Sequence, residues 1–290
     1  MSGSHHIPTT GGRAYVHNRS QTKPMPVNHL LHLTDTHLFS DISRQLKGVN
    51  THDSFAAVVK HAFANMPDPD AIILGGDMAQ DETPETYQLL ADMLRDWSAP
   101  CMLSPGNHAN ITAIETTLIP ALKARSSYSR CIQFEEWQVI TLNSHNSGQI
   151  SGLLAEDELQ RLDQLLSAEP HKHTLIALHH HPVPIESAWL DRIALHDNQA
   201  LWNIIHHHHN VQALLCGHIH QALDIMHKGI RILGTPSSCV QFKPLQRSFA
   251  LDDRSPGYRT LNLMPNGRIQ TLVKRIEGFI PADLTNDKPY

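Results

Sequence analysis

Short, almost uninterrupted apolar runs alternate with amphipathic segments along most of this chain, and that alternation constrains the fold more than any other feature. VNHLLHLTDTHL (27–38) predicts a strand, HDSFAAVVKHAFANM, with Phe55, Val58, Val59 and Ala62 on one face, a helix, and DAIILGGD another strand. TPETYQLLADMLRDW begins with Thr83 at an N-cap position and Pro84 at the first helical position, so it reads as a helix. PCMLSPGN, WQVITLNS, HTLIALHHH and VQALLCGH are four further apolar runs, with AEDELQRLDQLLSAE a helix between two of them. Strands linked by helices in this way form parallel βαβ units. Past Gly217 the pattern changes: DIMHKGIRILGTP and YRTLNLMPNGRIQTLVKRI read as strand, turn, strand, the second with Asn-Gly at its tip. The expected fold class is therefore α/β (α+β), with two packed mixed β-sheets flanked by α-helices.

With 290 residues, 40% of them hydrophobic, the chain suffices for one large core. Residues 1–26, rich in Gly, Ser, Thr, Pro and Asn, are expected to be a flexible leader, and residues 27–290 a single domain. The leader carries no apolar signal-peptide core, and nowhere do 18 apolar residues run together, so a soluble protein without membrane association is expected. Cys101, Cys131, Cys216 and Cys239 show no CxxC spacing, which fits reduced thiols in the cytoplasm. The net charge of -5 and pI near 6.5 argue against nucleic acid as a partner, since backbone phosphates call for a basic face.

Five strings lie at the ends of the apolar runs: LTDTHL, ILGGD, PGNH, LHHHP and CGHIH. They bring Asp35, His37, Asp77, Asn107, His218 and His220, with one of the three histidines from His179 to His181, toward one edge of a sheet. Alternating residues of a strand share a side, so Asp35 and His37 are expected to converge on one ion. Each string alone has a bland explanation. DxH reads as a strand-end Asp turn, GGD and PGN as turns, and one of 23 histidines as background. GHIH is the strongest, because two imidazoles at the mouth of a buried strand are costly to leave unpaired. The run His206–His209 reads as a partly solvated helix end whose imidazoles suit the negative end of the dipole, and His5, His6, His17 and His29 as surface residues.

Taken together and in this order, the strings resemble the calcineurin-like metallophosphoesterase superfamily. Within it the chain is similar to the bacterial class III cyclic nucleotide phosphodiesterases, closest to those hydrolysing 3',5'-cyclic AMP, through LTDTHLF, KGVN, GDMAQD, SPGNH, LHHHPVP, SAWLD, LLCGHIHQ and TPSSCVQFKP. The similarity spans about residues 27–276. It implies a four-layer sandwich and two transition-metal ions, with Fe, Mn or Zn suiting the mixed donors. It also implies that Asp35, His37 and His220 hold one ion, Asn107, His179 and His218 the other, and that Asp77 bridges them. A hydroxide between the ions would attack phosphorus in line, converting cyclic AMP to 5'-AMP. His108 would lie beside the phosphoryl group as the catalytic residue, stabilising charge or protonating the departing 3'-oxygen, with His37, Asn107 and His220 also contacting substrate.

One departure stands out. The superfamily string is usually GNH followed by an acidic residue, and here it is Ala109. If that carboxylate normally orients the imidazole, its loss predicts slower turnover with metal binding intact, and an Ala109→Asp variant with altered kcat and pH profile. Two other functions are weighed: hydrolysis of another small phosphodiester or pyrophosphate, and a metal-binding regulatory protein with little turnover. A Ser/Thr phosphatase is disfavoured, because its GDxxDRG string appears as GDMAQDE. The loop TPSSCVQFKP is placed to line the substrate pocket or an interface, which leaves a homodimer open.

Overall fold

The computed structural model describes residues 1–3, 26–124 and 129–290. Apart from residues 1–3 and 26, the expected leader lies outside the described residues, as do His5, His6 and His17.

Two mixed sheets face each other. The first runs in the order Ile269–Arg275, Gly257–Leu263, Asn28–Leu33, Ala71–Leu74, Cys101–Leu103. Its last three strands are parallel and its first two antiparallel. The second is ordered Leu223–His227, Ile230–Gly234, Val211–Cys216, His173–Leu178, Trp137–Thr141, Cys131–Gln133, with four parallel strands between antiparallel edges. The strand-turn-strand pairs read past Gly217 are thus hairpins, one closing an edge of each sheet. Lys228 and Gly229, at φ 48° and 84°, supply the left-handed pair that a tight hairpin turn needs.

Both faces of the central strands are covered, which is why their sequences are continuously apolar. Leu30, Ile73, Leu175, Ala177, Ala213 and Leu215 point between the sheets. Their neighbours Leu31, Leu33, Ile72 and Leu74 point outward, against Phe55 and Val58 of the helix Thr51–Asn65 and Tyr87 and Leu90 of the helix Pro84–Met93. On the other side Ile176, Leu178 and Leu214 meet Leu162 of the helix Glu156–Ala168 and Trp202 of the helix Asn198–His207. The result is helix, sheet, sheet, helix, the four-layer sandwich expected. Each fully buried aliphatic side chain contributes about 1.5–3 kcal/mol. The helix starts follow their caps: Asn50 Oδ1 accepts from Asp53 N at 2.8 Å, and Thr83 Oγ1 from Thr86 N at 3.4 Å.

Three deviations matter. The first strand stops at Leu33 rather than continuing to Leu38, because the chain turns left-handed at Asp35. The helix at Pro84 ends at Met93, short of Trp97. A helical stretch from Ile111 to Lys123, unread in the sequence, packs Ile114, Leu118 and Leu122 on the first sheet's helical layer. No disulfide joins any of the four cysteines, and no helix among the described residues is long and apolar enough to cross a membrane.

Candidate metal centre

The five strings meet at one rim, because each lies just past the carboxyl end of a parallel strand: Leu33, Leu74, Leu103, Leu178 and Cys216. Loops at that edge are where open α/β sheets gather ligand-binding groups. The side chains do not converge by strand alternation, as expected for Asp35 and His37. Instead Asp35, His37, Asp77, His218 and His220 all sit at positive φ, between 43° and 64°. Non-glycine residues resist this region by about 1–2 kcal/mol, and here backbone bonds between loops enforce it. Asp35 N donates to Gly76 O at 3.0 Å, His37 N to Asp77 O at 2.9 Å, and Gly217 N to His179 O at 3.2 Å.

One of the groups that the resemblance implies is present among the donor atoms, while the others are mixed, with His180 beside His179 and His218 and with His108 beside His37 and Asp77. Those of Asp35, His37 and His220 lie within 4.8 Å of one another, as do those of Asp35, Asp77 and His179. His218 and His220 diverge, His218 joining His179 and His220 joining His37. Asp77 lies between, its Oδ1 accepting from His108 N at 2.8 Å and its Oδ2 3.3 Å from His179 Nε2. Glycines make room: a Cβ on Gly106 would lie 2.2 Å from Asp77 Oδ1, and one on Gly76 2.3 Å from His179 Nδ1.

Hydrogen bonding fixes the histidine tautomers. His37 Nδ1 donates to Gln80 Oε1 at 2.7 Å, His179 Nδ1 to Gly75 O at 2.6 Å, His218 Nε2 to Ile193 O at 3.0 Å and His220 Nδ1 to Val240 O at 2.8 Å. In the neutral ring the other nitrogen of each is then a bare acceptor. Two of these, His37 Nε2 and His220 Nε2, face each other at 3.3 Å. Lone pairs so placed repel unless a cation or proton lies between them. Asn107 Oδ1 is buried without a hydrogen-bond partner. The orphaned acceptors and two buried carboxylates fit a pair of cations.

The protonation balance points the same way. Burial lowers the pKa of His37 to about 3 and drives that of His218 well down, so both rings stay neutral. Burial alone would raise Asp35 and Asp77, but His220 beside the first and His179 beside the second bring both below their ordinary value. His179 goes against its own burial: Asp77 and then Asp35 lift it to about 9. The two carboxylates thus draw positive charge from the nearest group able to carry it.

Of the LHHHP string, His179 is the ring at the centre. His180 is committed on both nitrogens, to Ser144 Oγ at 2.8 Å and Ile150 O at 3.0 Å, while His181 stacks on His218 with centroids 5.8 Å apart. The run His206–His209 closes the helix Asn198–His207, exposed apart from His208, which bonds Asp163 at 2.7 Å. His29, on the first strand, is exposed. Ala109 is buried in the apolar cluster of the first sheet.

Above the centre opens a cleft of about 390 Å³. His37, Asp77, Asn107, His108, His218 and His220 line it. The lining also carries four aromatic rings, Trp189, Phe242, Phe249 and Tyr290, with Arg192 and Asp287 among the other residues. The loop TPSSCVQFKP reaches this site from below and beside it. Ser237 Oγ donates to Asp35 O at 2.7 Å, Val240 O holds His220, and Phe242 stacks on His220 at 4.0 Å and 7°. The residue pattern alone assigns no role to Gln80, Trp189, Phe249 or Tyr290. Gln80 lies inside GDMAQD and Trp189 inside SAWLD, strings already marked by similarity, whereas Tyr290 lies beyond the similar region and carries no signal.

A model of the calcineurin-like phosphoesterase family matches residues 29–222. The chain belongs to the calcineurin-like phosphoesterase family. It is 40% identical over 267 residues to the 3',5'-cyclic adenosine monophosphate phosphodiesterase CpdA of Vibrio vulnificus, covering 91% of this chain and 97% of that protein. The protein of the same name from Escherichia coli is 40% identical over 247 residues, with 85% and 89% covered. Among solved structures, a dimetal phosphatase from Danio rerio shares the fold with a TM-score of 0.58 at 14% identity, over 87% of this chain and 99% of that one.

Proposed function

We propose that this chain is a dinuclear-metal phosphodiesterase that hydrolyses 3',5'-cyclic AMP to 5'-AMP. The observation that carries the reading is the set of unsatisfied acceptors around Asp77, in a cleft that four aromatic rings also line. The relatives of full-length similarity carry that activity in their names.

Asp35, His37 and His220 would hold one ion, Asn107, His179 and His218 the other, with Asp77 shared. Such ions supply Lewis acidity at the phosphoryl oxygens and water of lowered pKa. The remaining work falls to the chain. Gln80, Gly75, Ile193 and Val240 hold the four imidazoles in the tautomer that presents a lone pair. His108, on the cleft wall with its backbone fixed to Asp77 Oδ1, protonates the 3'-oxygen as the P–O3' bond breaks and a P–OH bond forms. His37, Asn107 and His220 surround the phosphoryl group. Trp189, Phe242 and Tyr290 offer flat apolar faces to a purine, and base-aromatic stacking contributes about 1–3 kcal/mol per base. Residues 27–290 act as one domain, in the cytoplasm, where cysteines without disulfides stay reduced.

The test is hydrolysis of cyclic AMP by protein stripped with chelator and reloaded separately with Fe, Mn or Zn. Activity that vanishes and returns with the metal supports the reading. Faster turnover of 2',3'-cyclic AMP or of an aryl phosphodiester overturns the substrate. Stoichiometric metal binding with no hydrolysis of any of these overturns the enzyme.

A further inference from the structure

We infer that Glu82 is the residue that positions His108, supplying the carboxylate that Ala109 does not. The inference rests on the reading of His108 as the group at the leaving oxygen.

Glu82 Oε1 lies 3.9 Å from His108 Nδ1. The rest of the His108 environment is already assigned: its backbone N–H is bonded to Asp77 Oδ1, and its ring meets that of His37 edge-on at 5.5 Å. Nothing at position 109 can reach the ring's polar edge, because Ala109 is buried in the apolar cluster beneath. The carboxylate has to come from another loop, and the two loops are fastened together. Asn110 Nδ2 donates to Glu82 O at 3.1 Å, and Asn110 N donates to Tyr87 Oη at 3.0 Å.

Glu82 itself is mounted rigidly. On one side Asp81 accepts from Ser40 N at 2.8 Å and Thr86 Oγ1 at 2.6 Å. On the other Thr83 caps the helix Pro84–Met93. Between them Glu82 holds φ at 54°, a left-handed conformation shared with five metal-ligand candidates. Strain of this kind persists only where surrounding bonds overdetermine it. The side chain is half-exposed, so rotation alone can close 3.9 Å to a hydrogen bond once substrate fills the cleft. A carboxylate accepting from Nδ1–H fixes the ring plane and leaves Nε2 for the 3'-oxygen. Glu82 is therefore a positioning residue acting through His108.

The test compares Glu82→Gln, His108→Ala and the double variant in the full chain, loaded with the metal that supports activity. Glu82→Gln is expected to lower kcat on cyclic AMP about 10-fold, with KM and metal content unchanged. On bis(p-nitrophenyl) phosphate, whose leaving group needs no proton, kcat is expected to change less than about 2-fold. In the His108→Ala background the same substitution is expected to add nothing. Rescue by Glu82→Asp would support the assignment further. Equal loss with and without His108, equal loss on both substrates, or loss of bound metal would each overturn it in favour of a structural role. If His108→Ala impairs cyclic AMP hydrolysis and Glu82→Gln does not, only the assignment of Glu82 fails. If His108→Ala has no effect, the role of His108 fails and this inference with it.

Discussion

The floor of the cleft and its aromatic wall are built on opposite principles. On the floor, Asp35, His37, Asp77, His218 and His220 are buried and held at positive φ, and each imidazole has its outer nitrogen committed to a fixed oxygen. On the wall, Trp189, the Phe242 and Phe249 pair of one hairpin, and Tyr290 come from three segments and hold each other by ring contacts at centroid separations from 5.1 to 6.2 Å, with Phe242 and Tyr290 also packed on His220 and His37. Directional bonds define positions to a fraction of an ångström, while ring packing defines a surface. The floor is thus suited to binding ions and reacting atoms, and the wall to binding a flat base through area. Changes to the floor should fall on metal content and kcat, and changes to the wall on KM.

The largest effect is expected from Asp77→Asn. An amide has one acceptor oxygen and no charge, so it cannot serve both ions and leaves His179 without its main countercharge. Metal content should fall and kcat drop by at least about 10³-fold, read by elemental analysis and steady-state rates. Retention of both ions at full activity would break the assignment of Asp77 as the shared ligand.

Next in size is Gly106→Ala. The added methyl would meet Asp77 Oδ1 at 2.2 Å and His179 Nε2 at 2.7 Å, so the ligands have to move. A displacement near 1 Å at a reacting centre costs about 10²-fold in rate. Hydrolysis should fall by that factor, and because the methyl also meets the Asp77 backbone N at 2.8 Å, thermal unfolding should show a loss of about 1–3 kcal/mol as well.

Trp189→Ala tests the other side. Its ring lines the cleft and packs on Phe242 and Phe249, away from any ligand bond. Loss of one stacking surface should raise KM for cyclic AMP about 10-fold, with kcat and metal content within about 2-fold of the parent. A fall in kcat at constant KM would show that the wall positions the phosphoryl group, and the division between floor and wall would fail.

The two regions also differ in how far the sequence reveals them. The floor is legible because strand-end position and residue type are both local: LTDTHL, ILGGD and CGHIH mark where a buried strand stops and put the ligand side chains directly after it. Its geometry is less legible. Strand alternation alone would bring Asp35 and His37 to one side, but left-handed turns after Leu33 do so in the molecule, and positive φ at Asp or His has no reliable local signal. The wall is nearly invisible, since Trp189, Phe249 and Tyr290 become neighbours only when the chain folds. Glu82 shows the same limit, because its closeness to His108 depends on the loop pairing made by Asn110. The four layers are readable because apolar runs buried on both faces, joined by helices with clear N-caps, leave few alternatives.

The smallest effect concerns the bonds that support the floor from behind. Glu158 is buried and bonded to Arg161 Nε at 3.1 Å, to Asn143 N at 2.8 Å, and to Arg130. Asn143 Oδ1 then accepts from His145 N at 3.0 Å, and His145 Nδ1 donates to Gly106 O at 2.8 Å. Burial would raise the Glu158 carboxyl, but Arg161 and then Arg130 hold it below its ordinary value of 4.5. Because the folded-state value lies lower than the unfolded one, the unfolded chain takes up its proton first as pH falls. The stabilisation is therefore complete above about pH 4.5 and fades as pH drops through the folded-state value. Glu158→Gln should cost about 1–2 kcal/mol near pH 7, with the gap to the parent narrowing in denaturant titrations below pH 4. KM for cyclic AMP should stay the same, since no link of this chain of bonds reaches the aromatic wall. A raised KM would mean that the floor support also sets the wall, and the two regions would then have to be treated as one.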